Sequence, residues 1–252
     1  MPYASGRVIH DADAHIMEVP GFLERHLESK HRASVTDAVL FPRREGFHGH
    51  LRDEHRAAGG AADVDETQIM LRKNWDALGA YAAKDRPRSI DLLGFASQLM
   101  FTTALLNYSS VLEGGRDVDL AYAVARAHTR HMVEFCSVDR RLLPTGYVPM
   151  IDFERTARAA REAIEMGAKA LLIPSRCPDG HSPSHIGFDP LWAAAQEAGL
   201  PIVFHVGGGG KLLEEAYFDN GLPPVPDFHG GDDNFRSIDY MAIAYPPMKA
   251  LT

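Results

Sequence analysis

The chain has 252 residues, 45% of them hydrophobic and 24% charged, so it is long enough to bury a sizeable core. Its formal net charge of −8, without a basic run, argues against a nucleic-acid partner. No stretch reaches the roughly 18 apolar residues of a membrane span, and neither the N-terminus nor the two cysteines, Cys136 and Cys177, indicate secretion. We therefore expect a cytoplasmic protein without nucleic-acid or membrane partners.

The first predicted strand lies in the segment GRVIHDADAHI, residues 6–16. Residues 20–90 follow it and contain stretches rich in Arg, His and Gly, which predict an insertion with some helix that covers the top of the sheet. Within the insertion, His48, His50 and His55 are typical of a solvated loop, although they could reach a substrate or form a second metal site.

From residue 98 to residue 206, strand patterns alternate with helical patterns. Strands are predicted over residues 98–106, 142–150, 168–174 and 201–207, and helices over 118–136, from Asp152 as N-cap to Gly167, and from Asp189 as cap to Gly199. Strand starts recur roughly every 25 to 35 residues, the length of a βα unit, which favours a parallel sheet. We predict an α/β fold, a TIM-like (β/α) barrel of about five βα units, in a single domain over residues 1–252. A last helix is expected to kink or end at Pro246 and Pro247.

The motif DADAHIMEVP places Asp11, Asp13 and His15 two residues apart, a spacing that puts the three side chains on one face of a β-strand. In a barrel that face is the interior, and its carboxyl end opens at the mouth where barrel enzymes do their chemistry. His205 ends the apolar strand of PIVFHVGGGG. A catalytic metal needs about three protein ligands and an open position. The sequence therefore predicts that Asp13, His15 and His205 bind a metal, whereas either His alone could be an ordinary polar residue at a strand end.

These residues belong to an ordered set of motifs that resembles the amidohydrolase-related family, in the branch with aminocarboxymuconate-semialdehyde decarboxylase and the γ-resorcylate decarboxylases. The resemblance is carried by DADAHIMEVP, DLLGFASQLMFTT, FCSVDRRLLPTGYVPM, GAKALLIPS and FDPLWAAAQEAGLPIVFHVG. It implies that the family's first-strand ligand pair, His-x-His or Glu-x-His, falls on Asp13 and His15, and its fifth-strand His on His205. Asp13 departs from that pair and is one methylene shorter than Glu.

The resemblance also implies a function. It implies a metal-dependent hydrolase or carboxy-lyase that acts on a small organic acid or lactone, with Zn, Mn or Fe as Lewis acid, His205 and Asp13 as catalytic residues, and a homodimeric state. Relatives continue through three more strands that supply an acid/base His and a metal-binding Asp, so we expect a barrel that is incomplete at its C-terminus. Those missing strands favour one alternative, an inactive or partial barrel that serves as a binding or assembly subunit.

Other polar residues have candidate roles near the same mouth. Arg176 and His185 lie in the loop after the fourth strand, where Arg176 could clamp a substrate carboxylate or be a simple charged loop residue. Glu18 could reach the metal or be a solvated carboxylate. His128 and His131 are at i and i+3 of an outer helix, where surface or packing roles are favoured over metal binding.

Overall fold

The structure is a computed structural model that describes residues 2–19, 21–36, 66–72, 77–114, 117–176, 180–206, 213–219, 221–223, 242 and 244–250. The predictions made for His48, His50, His55 and Cys177 lie outside these residues. Within them, no helix has the length and apolar character needed to cross a membrane.

Among the described residues, five parallel strands form one sheet in the order of the sequence. The strands are β1 (His10–His15), β2 (Ser97–Phe101), β3 (Leu142–Tyr147), β4 (Ala170–Ile173) and β5 (Ile202–Phe204). Helical segments lie between successive strands, which is the connection that parallel neighbours require. The predicted parallel α/β sheet is confirmed.

The sheet is strongly curled. In a flat sheet β1 and β5 would lie about 19 Å apart, which is four strand spacings. The Nε2 atoms of His15, at the end of β1, and His205, just after β5, are only 2.9 Å apart. Curling therefore brings the carboxyl ends of the two outer strands together, as in a half-barrel, and creates the mouth that the sequence predicts.

Local signals in the sequence determine most helix ends. The helices are α1 (Arg86–Leu93), α2 (Ala104–Glu113), α3 (Val118–Cys136), α4 (Phe153–Met166), α5 (Asp189–Ala198) and α6 (Tyr245–Ala250). At the start of α4, the Asp152 carboxylate accepts the backbone N–H of Arg155 at 2.9 Å. Gly167 ends the same helix with a φ of 106°, a conformation that favours glycine. The predicted bounds of α3 and α4 are confirmed.

The predicted second strand, 98–106, is too long. The strand ends at Phe101, and α2 begins at Ala104. The apolar run through this segment is compatible with either a strand or a helix, so its periodicity does not locate the change from one to the other.

One helix start also differs from expectation. Asp189 is the first residue of α5 rather than its cap, which is Phe188. Pro246 and Pro247 lie in the first turn of α6, and most of the preceding helix that they are expected to kink or end lies outside the described residues. A helix tolerates proline there because the first N–H groups have no partner within the helix.

The helices pack on the outer face of the sheet, and the inner face leads to the mouth. Met100 of β2 packs in a cluster with residues of α3, and Leu171 of β4 packs with residues of α4 and α5. The alternate residues Phe101, Leu172 and Val203 share a different cluster on the inner face. This alternation directs the side chains at the ends of β1 and β5 inward.

The proposed insertion is described only in part. Its described residues include three short 3-10 helices, Ser29–His31, Glu66–Gln68 and Ala83–Asp85, before α1. The single domain over 1–252 with an insertion at 20–90 stays a prediction.

Candidate metal centre

Three predicted ligands meet at the carboxyl end of the sheet. Asp13 Oδ1 lies 3.3 Å from His15 Nε2 and 3.1 Å from His205 Nε2, and the two Nε2 atoms are 2.9 Å apart. Two ligand atoms that each lie about 2.1 Å from one cation are separated by about 3.0 to 3.4 Å, depending on the coordination angle. The spacing of the three atoms therefore suits a single ion, and they form a candidate metal cluster among the described residues.

A β-bulge in β1 aims Asp13 and His15 at the same point. Asp11 pairs with Gln98, and the next pair is Ala14 with Met100. Three residues of β1 therefore match two residues of β2, so β1 contains one extra residue. The extra residue reverses the alternation, and Asp11 lies on the outer face, where its Oδ2 accepts a hydrogen bond from Gln98 Nε2 at 2.9 Å. The prediction that Asp11 shares a face with the two ligands is therefore wrong, because strict alternation holds only in a regular strand.

Hydrogen bonds determine which nitrogen of each imidazole carries the proton. His205 Nδ1 lies 2.7 Å from the carbonyl oxygen of Val206, which can only accept, so Nδ1 donates. Thr103 Oγ1 donates its own hydrogen to the carbonyl of Ile16 at 2.8 Å and therefore accepts from His15 Nδ1 at 3.0 Å. Both Nε2 atoms are left with a lone pair, the form in which imidazole binds metal.

The site consequently contains three acceptors and no donor among them. Such atoms repel one another unless a proton or a cation lies between them. A proton bridges two of them at a time, whereas a divalent cation bridges all three. A proton on either Nε2 would form a hydrogen bond with Asp13, and such bonds, that with His15 first and that with His205 second, lower the pKa of the Asp13 carboxyl well below its usual range. An ionised carboxylate with two neutral imidazoles fits a divalent metal ion such as Zn, Mn or Fe.

The cluster is covered on one side and open on the other. The Asp13 side chain is 69% exposed, whereas His15 and His205 are 24% and 13% exposed. The Phe101 ring packs against both imidazoles, with centroids 5.8 Å from His15 and 5.1 Å from His205. An ion held by these residues would keep its free coordination positions on the solvent side, where a substrate can reach them.

Glu18 has neither of its two expected roles. It is 2% exposed, and its carboxylate accepts the backbone N–H groups of Thr103, Ala104 and Leu105 at 2.9 to 3.1 Å. Burial raises the pKa of Glu18, and the backbone hydrogen bonds oppose that shift. Glu18 therefore binds the first N–H groups of α2 and holds Thr103 in place beside His15.

Thr103 contacts the candidate ligand His15, and the sequence interpretation missed it. It lies two residues after the end of β2, and polar residues at the carboxyl ends of parallel strands commonly line barrel sites. Its position after a strand could therefore have identified Thr103 from the sequence.

Arg176, predicted to bind substrate, lies against the end of α2. A Cβ atom at Gly114 would be 3.1 Å from Arg176 Nη1, so the glycine leaves space for the guanidinium. Burial raises the pKa of the neighbouring Glu113 to about 8, while the Tyr147 hydroxyl, which donates to Glu113, and the charge of Arg176 lower it. Substrate binding by Arg176 stays a prediction.

His185, the second residue predicted to bind substrate, is exposed in the loop before α5. Its Nδ1 accepts the backbone N–H of Gly187 at 3.0 Å, and its ring stacks on Phe153 with centroids 4.7 Å apart. The Nδ1 contact leaves the hydrogen on Nε2, where it is available to a ligand. Its role also stays a prediction.

His128 and His131 are packed inside the protein. His128 is 1% exposed, and neither of its ring nitrogens has a hydrogen-bond partner among the described residues. Burial lowers the pKa of His128 to about 3 and that of His131 to about 4. They take part in no candidate metal cluster of the described residues, which agrees with the packing role favoured by the sequence.

A curled parallel sheet with helical connections and a candidate metal cluster at its mouth defines a protein of the (β/α)-barrel class. A family model described as amidohydrolase matches residues 11–244. The chain therefore belongs to the amidohydrolase family, as its motifs predict. This membership supports an enzyme of the hydrolase type.

One solved structure shows the same fold at low identity, and two others are weaker matches. An amidohydrolase from Mycobacterium avium subsp. paratuberculosis matches with a TM-score of 0.66 and 20% identity over 98% of this chain and 68% of its own. A 5-carboxyvanillate decarboxylase from Novosphingobium aromaticivorans, solved with manganese and 3-methoxy-4-hydroxy-5-nitrobenzoic acid, matches with a TM-score of 0.47 and 18% identity over 80% of this chain and 51% of its own. The enzyme of that name from Sphingomonas paucimobilis matches with a TM-score of 0.47 and 17% identity, over 85% and 56%. The chain thus spans between 51% and 68% of the length of these structures, and no curated protein matches it.

Proposed function

We propose that this chain carries the metal centre of an amidohydrolase-type enzyme that hydrolyses, or non-oxidatively decarboxylates, a small organic acid or lactone. The observation that carries the proposal is the meeting of two lone-pair imidazole nitrogens and a carboxylate oxygen at the mouth of the sheet. A divalent ion bound there, Zn, Mn or Fe, supplies Lewis-acid chemistry toward a carbonyl or carboxylate oxygen.

The protein side chains hold this site in a defined geometry. Asp13, His15 and His205 would be the ligands, and their orientation is supported by the Nδ1 contacts of the two imidazoles. Asp13 Oδ1 makes the contacts with both imidazoles, which leaves Oδ2 to accept a hydrogen bond from water or substrate. Phe101 excludes water behind the imidazoles, so a substrate approaches from the exposed side. On this basis Asp13 and His205 take part in catalysis.

Arg176 and His185 are the proposed substrate contacts. Both follow β4, on loops that begin at the same carboxyl edge of the sheet as the metal cluster. A guanidinium can bind a carboxylate through two parallel hydrogen bonds, which suits an organic acid. The His185 Nε2–H can donate to a second polar group of the substrate. A homodimer and a cytoplasmic location belong to the same proposal, and light scattering of the purified protein tests the dimer.

Turnover assays with defined metals test the function. The protein is loaded with Zn, Mn or Fe(II) and assayed with a series of esters, lactones and hydroxybenzoates. The His205→Ala variant is the negative control. Metal-dependent turnover that is lost in the variant supports the proposal. A chain that binds no divalent metal contradicts it, and tight metal binding without turnover of any substrate would indicate a binding or assembly subunit instead.

Arg176→Lys separates substrate recognition from metal chemistry. Lysine keeps the charge but loses the planar fork that binds a carboxylate through two hydrogen bonds. We expect KM for acidic substrates to rise about tenfold, the equivalent of 1.4 kcal/mol, with little change for uncharged lactones. An equal effect on both classes of substrate would contradict the assignment of Arg176 as a carboxylate clamp.

A further inference from the structure

A chain of buried polar contacts lies behind β1, on the face opposite the metal centre. Arg86, the first residue of α1, is 6% exposed, and Gln98 of β2 is 2% exposed. Arg86 Nε donates to Gln98 Oε1 at 3.0 Å, and Gln98 Nε2 donates to Asp11 Oδ2 at 2.9 Å. Asp11 Oδ1 accepts the backbone N–H of Asp13 at 3.1 Å. An unbroken series of hydrogen bonds thus joins α1 to the backbone of a candidate metal ligand.

Arg86 also reaches the second ligand on β1. Its Nη1 donates to the carbonyl oxygen of His15 at 3.1 Å and to that of Gly79 at 3.3 Å. Gly79 has a φ of +71°, and a Cβ atom there would lie 2.6 Å from the Cα of Arg86. Only glycine allows this close approach without a shift of the backbone, so the position of Arg86 is tightly defined.

The β-bulge explains why β1 needs this support. The extra residue of a bulge interrupts the ladder of hydrogen bonds, and a backbone N–H that loses its strand partner must find another. The Asp11 carboxylate supplies that partner to Asp13 two residues later, a common local contact for aspartate. The orientation of Asp13 therefore depends on where the Asp11 side chain is held.

Charge balance links the same residues. Burial lowers the pKa of the Arg86 guanidinium, and the negative charge of Asp11 opposes that shift. A buried cation without a nearby carboxylate is costly, so Arg86 and Asp11 stabilise each other through Gln98. The contact is specific for arginine, because Nε donates to Gln98 while Nη1 donates to the carbonyl oxygen of His15.

We propose that Arg86, Gln98 and Asp11 are positioning residues that hold Asp13 and His15 at the spacing required for one metal ion. They do not touch the ion and act through the backbone of its ligands. The proposal rests on the proposed function, since it assumes that the cluster binds metal. Outer contacts of this kind typically change metal affinity about 10- to 100-fold.

Two variants interrupt the series at different points. Asp11→Asn keeps the size of the side chain but offers one acceptor oxygen in place of two, so the contact with Gln98 or with the Asp13 N–H is lost. Arg86→Lys keeps the charge but cannot serve both acceptors. Arg88→Lys and Asp91→Asn are matched controls on α1, because both side chains are exposed and form surface ion pairs.

The readouts are the Kd for Zn or Mn by calorimetry, the absorption spectrum of the Co(II)-substituted protein, and the thermal unfolding of the metal-free protein. We expect Kd to rise about 10- to 100-fold with an altered Co(II) spectrum in Asp11→Asn and Arg86→Lys, and neither change in the controls. Asp11→Asn is decisive if Arg86→Lys fails to fold, since Asp11 is half-buried and the change conserves its volume.

The outcomes distinguish this inference from the proposed function. Native Kd values and a native Co(II) spectrum in a folded Asp11→Asn variant would overturn the positioning role and leave the metal centre intact. Failure of the unsubstituted protein to bind any divalent metal would overturn the metal centre itself and the positioning role with it. A metal-free variant that is less stable but binds metal normally would show that the series supports only the fold.

Discussion

Two pairs of histidines in this protein show what distinguishes a candidate ligand from a packed residue. His15 and His205, which are distant in sequence, each donate Nδ1–H to an oxygen and present Nε2 to the same carboxylate. His128 and His131 have a spacing along α3 that suits metal binding, but His128 is buried and His131 half-buried, and no carboxylate joins them in a candidate cluster of the described residues. Spacing along one helix is therefore a weaker indicator than convergence of lone pairs.

The two pairs also differ in the cost of a positive charge. Burial disfavours the charged form of His128 and His131, which lowers the pKa of both. At the mouth, an ionised Asp13 lies within hydrogen-bond distance of both imidazoles and faces solvent. A cation at the mouth is compensated by a carboxylate, whereas a cation at His128 would be desolvated without compensation.

The largest expected effect is the loss of a ligand. His205→Ala should weaken binding of divalent metal by more than the 100-fold or so that is typical of outer contacts, because two side chains cannot form a three-ligand site. His128→Leu should leave metal binding unchanged. Calorimetric titration of both variants with Zn and Mn measures the difference, and equal losses would contradict the distinction between the two pairs.

An intermediate effect is expected from the residue that orients His15. Thr103→Val removes the oxygen that accepts from His15 Nδ1, so metal affinity should fall about 10- to 100-fold. Thr102→Val is a matched control, since Thr102 is fully buried and its hydroxyl has no hydrogen-bond partner among the described residues.

The control has its own expected result. Thr102→Val should bind metal normally and unfold at an equal or higher temperature, because a buried hydroxyl without a partner is replaced by a methyl group. If both threonine variants weaken metal binding equally, the contact with His15 is not the cause.

The last expected effect, which is small at each step of pH, concerns stability against acid. The unfolded chain protonates His128 near pH 6.5, whereas the folded protein does so only near pH 3. The unfolded state then binds more protons between these values, so the free energy of unfolding should decrease as pH falls, by at most about 1.4 kcal/mol per pH unit. Above pH 6.5 this contribution is constant.

Denaturant unfolding of metal-free protein between pH 3.5 and 7.5 measures this slope, and His128→Leu should reduce it. The change of slope isolates His128, because the lost packing of the variant alters stability equally at every pH. A slope identical to that of the unsubstituted protein would show that His128 is not buried as a neutral group.

The sequence alone determined the architecture and the identity of the candidate ligands. The alternation of strand and helix patterns predicted a parallel sheet, and the Asp152 cap and Gly167 predicted the ends of α4, because periodicity and capping are properties of short segments. The motifs at Asp13, His15 and His205 marked the ends of the strands that meet. Substrate contacts at Arg176 and His185 stay predictions.

Only the tertiary structure decided how those residues are held. The bulge that turns Asp11 outward depends on the register between β1 and β2, and the proton position on His15 depends on Thr103, 88 residues away. Glu18 and Arg86 resemble surface residues in the sequence but are buried by contacts with α2 and β2. These contacts join segments that are distant along the chain, so no local pattern of residues specifies them; the curling and register of the folded sheet bring them together.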